Sequence, residues 1–431
     1  MRLVVRRGKP LRGRTRVPGD KSISHRALLL GAIANGVTRV RNFLPAADCL
    51  ATLSCVRALG IEVEQPSETE LLVQGKGLHG LREPVDVLDC RGSGTTMRLL
   101  AGILAGQPFY SVLTGNEQLR QRPMGRIAEP LRLMGATVLG RDDGRLPPLT
   151  IKGGNLQGID YRLPVASAQV KSAILLAGLY AEGGTIVREP GPTRDHTERM
   201  LKAMGTDLEI SAHAIALTPP HSPLAPLDIN IPGDFSSAAF LVVAALLTPN
   251  SEIVIEGVGT NPTRTGLLDV LREMGGDVAL SDQHEVDGEP IAEIIARSSE
   301  LRGVGVDREL VPRMIDEFPI LAVAATQAEG KTVVRGAEEL RVKETDRIAA
   351  IVSELRKLGA HIEERPDGFI IEGPTELKGT RVDSYSDHRL AMALAIAGLV
   401  AKGETIIEGA ECIGDSFPKF KEVLDSLRCW K

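Results

Sequence analysis

The chain is poor in aromatic residues. Phe, Trp and Tyr together make up 3% of its 431 residues, with a single Trp. Its core must therefore be filled by Ala, Leu, Val and Ile, and platforms of stacked rings for nucleic-acid bases are not expected. Positive charge is not in excess either: 51 Lys and Arg stand against 56 Asp and Glu, a formal net charge of −5. That balance argues against a general nucleic-acid binder and leaves room for a local cationic site. Long apolar runs are missing. The longest, Ala238–Leu247, would cover about half a bilayer, so no membrane partner is expected. The opening Met1-Arg2-Leu3-Val4-Val5-Arg6-Arg7 lacks the apolar centre of a signal peptide. Cys49, Cys55, Cys90, Cys412 and Cys429 form no CxxC pair and leave an odd one over, which predicts reduced thiols and a cytoplasmic location. Neither Cys nor His has the spacing of a zinc site.

What the chain does have is repetition. Six segments open on small polar or charged residues, continue as an Ala/Leu-rich helix, break at Gly, Pro or Asn, and enter a β-branched run. The helices are predicted over Arg26–Ala34, Arg98–Ala105, Ala173–Ala181, Ala238–Leu247, Ile320–Ala328 and Ala391–Ala401. A second helix in each unit stops at Gly60, Gly135, Gly205, Gly275 and Gly359, and Gly just past a helix end is the expected left-handed cap. The sixth second helix reads as Phe420–Leu427. The period is too long for a solenoid and allows two helices and several strands per unit. The hexamers Val17-Pro18-Gly19-Asp20-Lys21-Ser22 and Ile231-Pro232-Gly233-Asp234-Phe235-Ser236 match half a chain apart. We therefore expect two similar α/β domains of three units each: residues 18–230, and residues 1–17 with 231–431. Two short crossings between them would form a hinge, with a substrate bound between the halves.

The first helix of each unit is apolar all round and must be buried. If the three in a domain run parallel, their N-termini meet at one face, where backbone N–H groups and the helix dipole favour anions. The residues at those starts differ. The first has Lys21, Ser22 and Arg26; the second runs Arg91-Gly92-Ser93-Gly94-Thr95-Thr96-Met97-Arg98; the third has Ser167 to Ser172 with Lys171. The fourth, Asp234-Phe235-Ser236-Ser237, lacks cations and reads as a cap. The fifth reverses the sign with Asp316 and Glu317, and the sixth has Asp387-His388-Arg389. Between the last two lies the charge-dense Arg341–Arg347, and Leu119–Arg126 brings Arg120, Arg122 and Arg126 into one turn. Each of these taken alone is also what a capped helix, a tight turn or a solvated surface would show.

Together the motifs PGDKSISHRAL, SGTTMRLLAG, RPMGRI, SAQVKSAILLAGL, RDHTERML, RVKETDRI and SDHRLAMALAIAG resemble, in order and over the whole chain, the 5-enolpyruvylshikimate-3-phosphate synthases, and the second class of that family more than the first. The resemblance implies two inside-out α/β barrels of buried parallel helices. It implies transfer of the enolpyruvyl group of phosphoenolpyruvate to shikimate 3-phosphate, on the route to chorismate and the aromatic amino acids. It implies a monomer with two small-molecule substrates, no nucleic acid and no cofactor. By position, Lys21, Ser22, Arg26, Ser167, Gln169 and Arg194 correspond to contacts with shikimate 3-phosphate, joined by Asp316 and Lys343. Lys21, Gly94, Thr95, Arg122, Gln169, Arg347 and Arg389 correspond to contacts with phosphoenolpyruvate. Asp316 corresponds to the base for the attacking hydroxyl, with Glu344, Lys343 and Lys21 at the reacting centre and Glu344 as the acid.

Two departures limit the correspondence. Gly92 stands where the family often has Asn, so a side-chain contact there is lost, and Asp415 stands where part of the family has Lys. The related UDP-N-acetylglucosamine enolpyruvyl transferases would carry Asn after the first Lys and a Cys in the loop; here Ser22 follows Lys21 and residues 115–126 hold no Cys. A non-catalytic anion-binding protein of the same fold is the other alternative. The set Asp316, Lys343 and Glu344 argues against it, since binding alone does not need an acid and a base together.

Overall fold

The computed structural model describes residues 1–428; Cys429 lies outside them. It divides into two compact units. One comprises Gly19–Ile231 with Val286–Glu289, the other Met1–Pro18, Pro232–Glu285 and Pro290 onward.

Each unit is built on three buried helices. In the first these are α1 (Lys21–Ile33), α2 (Gly94–Ala105) and α3 (Ala168–Gly178); in the second, α4 (Phe235–Leu247), α5 (Phe318–Gln327) and α6 (His388–Val400). They begin several residues before their apolar stretches, so the polar motifs lie on the first turn. The reason is local. Asp20 accepts from the Ile23 N–H at 2.9 Å, Ser93 from Thr96 at 3.1 Å, Ser167 from Val170 at 3.4 Å, Asp234 from Ser236 at 3.3 Å and Asp387 from Arg389 at 2.9 Å. Each bond satisfies a helix-start N–H that has no partner within the helix. Only α5 lacks such a side-chain cap and instead carries Pro319 in its first turn, where Pro costs no hydrogen bond.

Around the helices lie six small sheets with one pattern. In the first unit the strand orders are 228–230, 35–41, 70–76, 63–67; then 88–89, 110–114, 146–152, 137–140; then 160–162, 185–188, 214–217, 208–210. In each, the first two strands pair parallel and the later ones antiparallel. The parallel pair 88–89 and 110–114 is joined through α2, as a parallel connection requires. The second unit follows the same rule, but its sixth sheet has three strands, 381–383, 404–408 and 2–6. The start of the chain thus supplies the antiparallel partner of 404–408, and 12–16 supplies the parallel partner of 252–256.

The scarcity of rings shows in the packing. Small residues let the core helices meet backbone to backbone: a Cβ on Gly102 of α2 would lie 2.2 Å from the Ala173 carbonyl oxygen of α3. The Pro-Gly turn before α1 is equally constrained, since a Cβ on Gly19 would lie 1.8 Å from the Asn42 oxygen. Gly60, Gly135, Gly205, Gly275 and Gly359 all take positive φ, between 85° and 109°, as left-handed caps. The outer helix at the chain end runs Phe420–Arg428. One feature carried no sequence signal. Residues 277–286 and 289–297 form a long hairpin, and its tip joins the first unit: His196 Nδ1 meets Glu289 Oε1 at 2.7 Å, and Arg199 donates to the Gly288 oxygen at 2.6 Å.

Candidate active site

In the first unit the starts of α1, α2 and α3 converge. Arg26 of α1 donates to Ser172 Oγ of α3 at 2.9 Å, to Thr197 Oγ1 at 2.7 Å and to its own helix at Ser22 O, 2.9 Å away. None of these acceptors is charged. Burial pushes the Arg26 pKa down to about 10, against the pull of Glu198 and Asp20, and Arg194 lowers it further. A buried guanidinium with neutral acceptors and a cationic neighbour is a place that favours a phosphate. Lys21 pairs with Asp48 at 3.0 Å, both mostly buried.

Gln169 links two helix starts. Its Nε2 donates to Thr95 Oγ1 at 2.9 Å while its Oε1 accepts from Arg98 Nη1 at 2.5 Å. Arg98 also donates to the Pro123 oxygen at 3.2 Å, which ties the Arg122 loop to α2. A Cβ on Gly94 would lie 2.8 Å from Arg122 Nη1 and 3.1 Å from Arg98 Nη1. Gly94 is therefore what lets two guanidiniums close over the N-terminus of α2. Ser22, Ser167 and Arg194 are partly buried at the same helix starts and in the loop before Asp195.

A buried chain of hydroxyls runs beneath. His25 Nδ1 meets Thr52 Oγ1, Thr52 Oγ1 meets Thr96 Oγ1, and Thr96 Oγ1 donates to Ser93 Oγ, each at 2.7 Å. The pKa of His25 is lowered from the ordinary 6.5 to about 3, chiefly by burial, with Lys21 and Arg26 adding and Asp48 opposing. The unfolded chain thus takes up a proton near pH 6.5 that the folded chain refuses until about pH 3. Stability from neutral His25 is present above pH 6.5 and lost as pH falls below it. Urea denaturation at pH 7 and pH 5 should show a loss of about 2 kcal/mol from this group, absent in His25→Gln. An equal pH response in the variant would show that His25 stays exposed to protonation.

In the second unit the centre is Arg347, 1% exposed on its helix start. It donates to Asp387 at 2.8 Å, to Glu344 at 2.7 Å and to Asp316 at 3.2 Å. Burial alone would lower its pKa, but Asp387, Glu344 and Asp316 outweigh that and hold it above the usual arginine value. Asp387 is wholly buried, while Asp316 and Glu344 keep about a fifth of their side chains exposed, at 21% and 22%. Arg389 is buried on the first turn of α6; its nearest carboxylate is Asp234 at 4.0 Å, and its Nε and Nη1 meet no acceptor among the described residues. Buried guanidinium donors without acceptors point to an anionic ligand. Lys343 is partly buried beside Glu344 in sequence.

The family model for EPSP synthase (3-phosphoshikimate 1-carboxyvinyltransferase) matches residues 5–424. The chain belongs to the EPSP synthase family. It is 55% identical to the 3-phosphoshikimate 1-carboxyvinyltransferase of Desulforudis audaxviator over 99% of this chain and 100% of that one. The enzyme of the same name from Geobacter sulfurreducens is also 55% identical, with 97% of each chain covered. Among solved structures, the EPSP synthase from Acinetobacter baumannii superposes with a TM-score of 0.88 at 46% identity, covering 99% and 98% of the two chains. The enolpyruvyl transferase NikO from Streptomyces tendae shares the fold, with a TM-score of 0.81 at 19% identity.

Within the EPSP synthase fold, several partners lay outside the motifs. Asp48 pairs with Lys21 from the helix 47–58, where an acid in the first turn carries no local mark of a lysine partner. The fourth helix start does not lack cations, as the local sequence suggested. Arg264 reaches it from a distant loop and donates to Asp234 at 3.0 Å and Ser236 at 2.7 Å. Lys171 is turned inward: it is 1% exposed and pairs with Glu189 at 3.1 Å and Glu198 at 2.6 Å. No helical transmembrane span occurs among the described residues.

Proposed function

We propose that this chain is a 3-phosphoshikimate 1-carboxyvinyltransferase (EC 2.5.1.19) and that residues of both groups take part in the reaction. The hydroxyl at C5 of shikimate 3-phosphate adds to C2 of phosphoenolpyruvate while C3 takes a proton. Loss of a proton from the new methyl group then expels phosphate and restores the double bond. The observation that carries the reading is that one guanidinium, Arg347, holds both Asp316 and Glu344. The reaction needs a base and an acid close together, and this ion pair supplies two carboxylates in one place.

Asp316 serves as the base for the hydroxyl. Glu344, with Lys343 next to it in sequence, serves as the acid toward C3. Lys21, Ser22, Arg26, Ser167, Gln169 and Arg194 receive shikimate 3-phosphate; the neutral acceptors and lowered pKa of Arg26 support a phosphate there. Lys21, Gly94, Thr95, Arg122, Gln169, Arg347 and Arg389 receive phosphoenolpyruvate, supported by the two guanidiniums over Gly94 and the unmet donors of Arg389. Together the substrates bring roughly five to six negative charges. Lys21, Arg26, Arg122, Arg194, Lys343, Arg347 and Arg389 offset them, and cations near the departing phosphate stabilise its developing charge.

Arg347 enters with a condition. All three of its nitrogens already donate to carboxylates, so an incoming anion competes with Glu344 and Asp316 for the guanidinium. A displaced Glu344 loses its cation and gains proton affinity, which suits an acid. The reading needs two small molecules, one copy of the chain, no nucleic acid and no cofactor. It places the enzyme in the cytoplasm, in keeping with free thiols at Cys49, Cys55, Cys90 and Cys412. Phosphate release from phosphoenolpyruvate should depend on shikimate 3-phosphate. No release, or release only with UDP-N-acetylglucosamine, would overturn the proposal.

A further inference from the structure

We propose that Asn116 is an additional binding residue for phosphoenolpyruvate, presenting its side-chain N–H groups beside Gly92 at the start of α2. This rests on the reading above that α2 receives the donor substrate's anion.

Asn116 opens the loop that carries Arg122. Its backbone N–H donates to the Arg91 oxygen at 2.7 Å, which ties the loop to the residue before Gly92. Its side-chain Oδ1 accepts from the Leu119 N–H at 2.9 Å and so starts the short turn Leu119–Gln121. That bond decides which end of the amide is oxygen and leaves the NH2 group on the other side. Nδ2 lies 3.3 Å from the point where a Cβ on Gly92 would stand, and apart from Gly92 and its chain neighbours no other atom of the described residues comes within 4 Å of that point. The bare Cα of Gly92 is what lets the carboxamide sit there.

The surroundings are made of donors. Two residues on, Arg122 Nη1 and Arg98 Nη1 lie 2.8 and 3.1 Å from the corresponding point on Gly94. Asn116 is exposed, so its amide can be reached by a ligand. A neutral N–H pair beside two guanidiniums and a helix N-terminus suits an oxyanion, the phosphate or carboxylate of phosphoenolpyruvate. The side-chain contact expected to be missing with Gly92 is thereby supplied from the neighbouring loop.

A purely structural Asn116 would only cap the turn, and Asn116→Asp separates the two roles. A carboxylate still accepts from Leu119, but it turns an oxygen toward the anion in place of NH2. The expected result is a KM for phosphoenolpyruvate raised about tenfold or more, with the KM for shikimate 3-phosphate and the melting temperature unchanged. The double variant Gly92→Asn with Asn116→Ser keeps a hydroxyl that can accept from Leu119, clears the space of the longer side chain and returns a carboxamide to it from the other side. Arg91, at φ 50°, carries the left-handed turn and Gly92 is not among the positive-φ residues, so the backbone accepts Asn there, and with Ser at 116 the side-chain atom 3.3 Å from its Cβ is gone. The double variant should recover most of the lost affinity. A normal KM in Asn116→Asp, or a double variant no better than the single one, would overturn the proposal. Should the unaltered protein show no turnover, the function reading fails by itself. The same variants are then read by calorimetric titration of phosphoenolpyruvate, where loss and recovery of affinity support the role of Asn116 and equal affinities overturn it.

Discussion

Asp316→Asn should lower kcat by about 10²- to 10⁴-fold, the range expected when a positioned base is removed. The substitution keeps the shape of the side chain and an oxygen that can still accept from Arg347 Nη1, now 3.2 Å away. It takes away only the basicity. Arg347 retains Asp387 and Glu344, so the buried ion cluster and the start of α6 survive. Binding should change far less than turnover, because the cations assigned to both substrates are untouched. Phosphate release at saturating substrates measures the effect, and a melting curve confirms the fold. A kcat within tenfold of the original would remove Asp316 from the role of base.

The second large effect is on stability. Arg347→Met leaves Asp387 wholly buried without the guanidinium that now donates to it at 2.8 Å. Breaking a buried pair by removing one partner costs about 3–5 kcal/mol, because a buried charge is left uncompensated. For a unit of this size that corresponds to a melting temperature roughly 10 °C lower. The double variant Arg347→Met with Asp387→Asn tests the cause. Asn is as good a helix cap as Asp, so it still accepts from the Arg389 N–H while carrying no charge. It should regain much of the lost stability. If Arg347→Met melts like the original, Arg347 is not the counter-ion that its geometry implies. Activity should be lost in both variants, since the reading assigns Arg347 to the substrate anion and to holding the acid and the base.

Much of the fold can be read from the chain because its determinants are local. Gly60, Gly135, Gly205, Gly275 and Gly359 end helices through a conformation that other residues resist, so the repeat shows as punctuation. Asp20, Ser93, Ser167, Asp234 and Asp387 cap helices through bonds two or three residues ahead. Burial of helices apolar on all sides follows from composition. The motif at Lys21 is such a case: its cap and its apolar continuation are both contained in one short stretch.

The pairing of strands and ions is another matter. The strand 2–6 completes a sheet with 404–408, and the tip Val286–Glu289 joins a unit to which its flanking strands do not belong. Nothing near these residues distinguishes them from other β-branched or turn segments. Lys21 and Lys171 occupy comparable helix starts, yet one meets Asp48 at a partly exposed helix end and the other is sealed between Glu189 and Glu198. Arg347 was legible as a cation but not as the holder of three carboxylates. The sequence by itself determined the repeat, the buried helices, the polar residues at their starts and the family. Only the tertiary structure decided which charge answers which. Caps and glycine turns are settled within a few residues of chain, whereas ion pairs depend on distances of a few ångströms between segments far apart in sequence, where Coulomb energy changes steeply with separation and burial.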